Sequence, residues 1–351
     1  MRNGVKSLIA VLFGLLAGAL LMVFTGHDPI EGYTYLLQGA LKNPERIGNM
    51  LATATPLILT GLSVAFAFRT GLFNIGAAGQ MLFGGFCATA VGLSFDFPRP
   101  LLLLAMVLAG FIGGALWAVV PGFLKARFNV HEVVSTIMMN WVAYWTIYYV
   151  VPGYFKGASL ETESRQLPPE AMLHQQWLTD LFQGSYINLG FFIAVLGVII
   201  VAFIINKTTL GYELKAVGYN RHAAEYAGIA VKRSIVTSMF ISGGLAGLAG
   251  VVQYAGNASS MQIGVLPTQG FDGIAVALLG INAPVGVFLS AIFFGLLYSG
   301  RGFMNAMTEI PPEIADTIIA IIIYFAATSI LIERLYQKYK SRRAANKKRE
   351  D

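Results

Sequence analysis

The chain has 351 residues, 56% of them apolar and only 12% charged, against about 25% charged in an ordinary soluble domain. Its lone cysteine, Cys87, excludes an intrachain disulfide and a cysteine-cluster metal site. The net charge of +6 follows membrane orientation rather than affinity for nucleic acid, because its cations are distributed along the chain as a membrane protein requires.

A bilayer span takes about 20 predominantly apolar residues. Runs of that kind occur at 7–25, 50–68, 100–120, 133–151, 188–206, 234–255, 283–299 and 314–332. The first reads as an uncleaved span, since the small triplet Ala17-Gly18-Ala19 falls in the middle of the run and not at its end. Weaker runs at 72–93 and 269–281 are interrupted by glycine and polar residues. Together they predict an all-α polytopic membrane fold of about ten spans, in one domain over 1–351 with both termini cytoplasmic.

With the N-terminus inside, Arg2, Lys6, Arg69, Lys125 and Arg127 face the cytoplasm. So do Lys207, Lys215, Arg221, Lys232 and Arg233, and the basic tail 334–351. Only Lys42, Arg46, Arg99, Lys156, Arg165 and Arg301 remain outside, which obeys the positive-inside rule. The tail either touches anionic membrane lipid or anchors the last helix.

Two outer stretches, 26–49 and 152–187, are too short for a core of their own. The second, which includes Glu161, is expected to cap the outer mouth, with Trp177 and Tyr186 at the interface. No Gly-x-x-x-x-Gly-Lys-Ser/Thr loop occurs, so any ATP that drives the protein is bound by a separate polypeptide. No cofactor is expected on this chain.

Two segments, Gly71 to Gly85 and Pro267 to Gly286, mix glycine or proline with Asn, Gln or Asp at membrane depth. Irregular backbone at that depth must be buried in protein or line a cavity, and glycine-interrupted segments in opposite halves point to a midplane substrate site. The glycines serve close helix packing equally well. The neutral polar residues of the spans are Asn74, Gln80, Asn140, Gln253 and Asn282. Around Asn140 lies an aromatic cluster in which Trp141, Trp145 and Tyr148 share one helical face, and Asn140 and Tyr144 another. Amides and hydroxyls beside flat rings suit a neutral hydrogen-bonding substrate such as a nucleoside or a sugar. Asn74, Gln80, Asn140, Trp141, Tyr144 and Asp272 are therefore the candidate substrate pathway.

Asp272 and Asp316 lie at the ends of their runs, and no chain of buried acids or histidines exists to relay protons. No nucleophile–base pair or clustered metal ligands mark an enzyme, and His27, His131, His174 and His222 are scattered. The loop 207–233 is charged and glycine-flanked. Asn220 is placed to cap a short helix, on which Ala223, Ala224, Tyr226 and Ala227 can form a small-residue docking surface. A solvated connector is the alternative.

Several of these segments carry a resemblance. Gly218-Tyr-Asn-Arg-His-Ala-Ala-Glu-Tyr-Ala-Gly228 resembles the coupling-helix element of ATP-binding-cassette importer permeases of the simple-sugar and nucleoside branch. Asn220, Ala223, Ala224, Glu225, Gly228 and Ile229 match that element. Leu72 to Met81 is similar to the family's most recognisable segment, with Ala78 where an acidic residue often stands. Glu132 to Asn140, Ser242 to Gly250 and Gly270 to Gly280 are similar too. The resemblance spans about residues 45–333 and is nearest to bacterial nucleoside-uptake permeases of the guanosine type.

It implies a multi-pass protein of the bacterial plasma membrane that is not itself an enzyme. The implied partners are an ABC ATPase subunit docking on Gly218, Asn220, Ala223, Ala224, Glu225, Gly228 and Ile229, a second permease subunit forming a heterodimer, and an extracytoplasmic substrate-binding lipoprotein. A simple-sugar permease of the ribose type and a stand-alone secondary transporter are the competing readings.

Overall fold

The computed structural model describes residues 3–157, 162–326 and 328. Arg2, Glu161 and the basic tail 334–351 lie outside them, as does the end of the last apolar run.

The described residues are helical without a strand. In order they form α1 (Asn3–Phe24), α2 (Pro29–Leu41), α3 (Pro44–Arg69), α4 (Ala77–Ser94), α5 (Arg99–Phe128) and α6 (Glu132–Tyr154). Then come α7 (Gln176–Leu181), α8 (Gly190–Lys207), α9 (Thr209–Tyr219) and α10 (Arg221–Tyr226). α11 (Val231–Val252) runs into a wider π turn at Gln253–Asn257 and is followed by α12 (Gln269–Leu279), α13 (Pro284–Thr308) and α14 over 313–326.

Local chemistry sets these boundaries. Asp28 accepts from the Ile30 N–H at 2.8 Å ahead of Pro29, and Asn43 from the Arg46 N–H at 2.9 Å ahead of Pro44. Proline at the first helical position loses no hydrogen bond, because that N–H has no partner in the helix anyway. α5 stops at Asn129, which takes the left-handed conformation (φ 52°) that an asparagine tolerates at a helix end.

Among the described residues, seven helices are long and apolar enough to cross a membrane: α1, α3, α4, α5, α8, α11 with its π turn, and α13. The run at 133–151 becomes the 23-residue α6, whose Asn140 and six Trp and Tyr rings dilute its apolar content. The run at 269–281 yields only the eleven-residue α12, about 16 Å long against a hydrocarbon core of about 30 Å.

α3 and α11 form the centre of the bundle, with α4 beside them; α1, α5 and α8 leave much more surface uncovered. The central packing relies on glycine. A Cβ at Gly247 of α11 would lie 2.1 Å from the Gly110 carbonyl oxygen of α5, and one at Gly84 of α4 would lie 2.4 Å from the Gly247 Cα. Association of helices in lipid depends on dispersion contacts and not on expulsion of water, so small residues that let backbones touch are the effective ones.

Residues 162–189 fold over the end of α11 and the segment that follows it. Ser164 N–H donates to the Met261 carbonyl at 2.9 Å, Leu167 to Ser259 at 2.7 Å and Leu173 to Ala255 at 2.8 Å.

Candidate functional site

A cavity of about 760 Å³ opens beside the π turn, where α3, α11, α12, α13 and α14 converge. This volume is ample for a small organic ligand. The π turn begins where the Ala258 N–H reaches back five residues to the Gln253 carbonyl at 2.8 Å. Its wider winding brings Gln253 and Asn257 to the same wall. Single π turns inside α-helices occur frequently at functional sites.

Asn257 is fixed from both ends: its Nδ2 donates to the Ala52 carbonyl of α3 at 3.0 Å, and its Oδ1 accepts from Asn188 at 3.0 Å. α3 contributes Thr53 and Leu57, and the Thr53 hydroxyl is 3.0 Å from that of Tyr186. α12 contributes Gln269 and Asp272, and Thr268 just precedes it. α13 adds Tyr298 and Arg301; α14 adds Asp316 and the apolar Ile319 and Ile323.

Charge is concentrated on one wall. Arg301 Nη1 lies 2.7 Å from Asp316 Oδ1, with both side chains partly open to solvent. The guanidinium also stands 5.1 Å from the Tyr298 ring centre, within cation–π range. Tyr298 and Asp272 line the same cavity. The cavity therefore offers a ring face, amide and hydroxyl donors and acceptors, a guanidinium and two carboxylates around an apolar floor.

Of the six residues expected along the substrate path, Asp272 alone lines this cavity. Asn74, Gln80 and Asn140 are buried elsewhere, at the break between α3 and α4. There Asn74 Oδ1 accepts from the Gly76 N–H at 3.0 Å, and its Nδ2 donates to Gln80 Oε1 at 2.8 Å and to the Ser242 hydroxyl at 2.9 Å. Asn140 Oδ1 accepts from the Gly79 N–H at 2.8 Å while its Nδ2 donates to the Ile75 carbonyl at 3.0 Å. The interrupted backbone leaves peptide groups without helical partners, and these amides satisfy them.

Trp141 is half-exposed on the outward face of α6, beside Trp145 and Tyr149. Tyr144 packs against the cluster of Leu82, Tyr254 and Met261. Neither ring reaches the cavity wall. Conversely, Thr53, Asn257, Gln269, Tyr298, Arg301 and Asp316 line it without having been singled out for it. The one available signal was an ionisable pair near the ends of neighbouring apolar runs, and pairing across helices is not readable from spacing.

On the opposite side of the bundle, α9 and α10 form the loop expected to dock a partner. Asn220 caps α10 as its position predicts, its Oδ1 accepting from the Ala223 N–H at 3.1 Å. Gly228 ends α10 in the left-handed region (φ 84°), where its N–H bonds the Glu225 carbonyl and the Ile229 N–H bonds that of Ala224, at 2.9 and 3.0 Å. This is the glycine-terminated helix end that needs no Cβ.

Ala223, Glu225, Tyr226, Ala227 and Gly228 are exposed, with Tyr226 at 95%. Ala224 is buried, at 3%, and Ile229 half-buried. A Cβ on Gly218 would lie 2.3 Å from the Arg69 carbonyl. Ala224 and, in part, Ile229 thus face the bundle, while Gly218 is exposed beside the Arg69 carbonyl. A six-residue helix lying on the bundle turns part of its small-residue surface inward, here at Ala224.

The family described as branched-chain amino acid transport system, permease component, matches residues 46–327. The chain is 44% identical over 339 residues to the guanosine ABC transporter permease protein NupP of Bacillus subtilis, covering 96% of this chain and 97% of the relative. It is 39% identical over 356 residues to the nucleoside ABC transporter permease protein NupB of Lactococcus lactis, covering 98% and 96%. The glucose ABC transporter permease protein TsgB13 of Haloferax volcanii is 32% identical over 335 residues, covering 93% and 87%.

Proposed function

The chain belongs to the permease-component family of branched-chain amino acid transport systems, and on that premise we propose that it carries nucleosides, guanosine and other purine nucleosides among them. It is a multi-pass plasma-membrane protein and a permease subunit of an ATP-binding-cassette importer, not an enzyme.

The observation that carries the nucleoside reading is the cavity beside the π turn. Its Tyr298 ring, the amides of Gln253 and Gln269, and the Arg301–Asp316 pair are complementary to a flat, heteroatom-rich base joined to a hydroxylated sugar. The extent and level of identity to NupP and NupB support the same cargo.

The remaining parts of the reading concern topology and partners. The chain crosses the membrane ten times, with both termini inside and α12 sharing one crossing with the extended stretch before it. Two contacts support this arrangement: Asn49 of α3 accepts from the Tyr186 N–H at one end of the bundle, and Arg69 of α3 donates to the Asn282 carbonyl at the other. The ATPase subunit docks on the exposed face formed by Ala223, Glu225, Tyr226, Ala227 and Gly228. A lipoprotein receptor delivers the cargo over the 162–189 stretch, and a second, different permease completes the pathway.

The test is ATP-dependent uptake by the full importer reconstituted in liposomes. Labelled guanosine, inosine, uridine, ribose and glucose are each offered inside the receptor's working range. Nucleoside accumulation that requires hydrolysis, without sugar accumulation, is the expected result. Accumulation of glucose or ribose alone overturns the cargo, and accumulation by this chain without any ATPase overturns the importer.

A further inference from the structure

Three elements meet around Arg69, the last residue of α3, at the end of the bundle that carries α9 and α10. Arg69 Nε donates to the Asn282 carbonyl at 3.0 Å, and Asn282 belongs to the turn joining α12 to α13. The Arg69 carbonyl faces Gly218 near the end of α9 so closely that a Cβ there would lie 2.3 Å away. Gly71, left-handed at φ 71°, closes the junction from the other side: its own Cβ would lie 3.3 Å from the Gly218 Cα. Between the elements remains a small cavity of about 200 Å³, bordered by Phe68, Lys215 and Ile281.

The turn gripped by Arg69 is under strain. Ile281 and Asn282 are consecutive non-glycine residues with φ of 54° and 52°, a region L-residues avoid because Cβ crowds the following carbonyl. Asn282 Oδ1 is buried without a hydrogen-bond partner. Strained backbone of this kind persists only where its surroundings over-determine it, and it clusters at switch regions. The two helices joined by the turn run to the cavity: α12 begins with Gln269 and Asp272, and α13 carries Tyr298 and Arg301 on its far half.

We propose that Arg69 is a positioning residue of the transport cycle, clamping the α12–α13 turn to the α9–α10 loop so that displacement of the loop reorients the cavity wall built on α12 and α13. The proposal rests on the reading that the ATPase docks on α9–α10. Energy can pass between the two sites only through contacts that differ between states, and a bent turn between packed helices, held by one guanidinium, has such a second arrangement available to it. A role confined to charge at the cytoplasmic boundary would be met equally well by lysine, which has no Nε to direct at the carbonyl.

The test uses the complete reconstituted importer and reads both nucleoside uptake and ATP hydrolysis. In Arg69→Ala and Arg69→Lys the ATPase is expected to assemble and hydrolyse as before. Solute moved per ATP should fall about tenfold in both, within the usual range of coupling between distant sites. Asn282→Gly, which relaxes the strained φ and keeps the accepting carbonyl, should retain the wild-type ratio.

Full rescue by lysine, or uptake and hydrolysis declining in step, overturns the proposal. Should the Arg69 variants not accumulate, Gly218→Ala forces a methyl against the Arg69 carbonyl and is judged by the same ratio. Tyr226→Arg in the same preparation tests the docking reading separately. A normally assembled and coupled ATPase in that variant removes the docking reading, whatever the Arg69 variants do.

Discussion

Gly270 of α12 lies so close to Ala78 of α4 that a Cβ on the glycine would be 2.3 Å from the Ala78 Cα. The two glycine-interrupted segments of the chain therefore touch backbone to backbone in the middle of the fold. Gly270→Val should push α12 off α4, at an overpacking cost of about 1–3 kcal/mol. A lowered unfolding midpoint of the detergent-solubilised protein is the expected reading, and an unchanged midpoint would contradict the contact.

Asn140→Leu removes the acceptor of the Gly79 N–H and the donor to the Ile75 carbonyl. Leaving buried peptide groups unpaired costs about 1–3 kcal/mol each. The variant should lose thermal stability, while the protein that survives keeps its order of preference among nucleosides. A changed preference with unchanged stability would return Asn140 to the substrate path.

Arg301 and Asp316 invert that pattern. Their side chains are 38% and 51% exposed, so the pair adds only about 0–1 kcal/mol to stability. Arg301→Leu should accumulate and melt like the unmodified protein. Its uptake at sub-saturating nucleoside should drop by about tenfold or more, as expected for one lost charge-assisted hydrogen bond of about 1.5–3 kcal/mol. Equal uptake by both proteins would remove the pair from the site.

The docking loop predicts a contrast between neighbours. Glu225→Arg changes an exposed side chain, and should leave stability intact while the ATPase no longer co-purifies. Ala224→Arg buries a cation where 3% exposure remains, and should lower stability as well as assembly. Gly228→Val should also cost stability, about 1–2 kcal/mol for a Cβ in the left-handed region, although nothing lies within 4 Å of the space it would occupy. If Ala224→Arg and Glu225→Arg behave alike in both assays, the inward orientation of Ala224 is wrong.

The helices were legible because their signals are local. The apolar runs coincide with α1, α3, α5, α8, α11 and α13, and Asn220 caps α10 as its place before Ala223 requires. The weak runs were weak for a reason the structure makes plain. The break at Gly71 to Gly76 is a left-handed turn closed by Asn74, and α12 has eleven residues. The chemistry of the buried amides was harder to read. Asn74, Gln80 and Asn140 carry the side chains a polar substrate would want, yet Asn74 and Asn140 bond the interrupted backbone and Gln80 pairs with the Asn74 amide.

Hydrophobic periodicity, capping residues and the placement of Lys and Arg were enough to establish a helical membrane protein and a short helix in a charged loop, because each depends on residues within a few positions of one another. Only the tertiary structure decided which polar groups face a cavity. That cavity is made by residues as distant as Thr53 and Asp316, and whether a side chain is spent on its own fold or left free for a ligand depends on which helix end stands opposite.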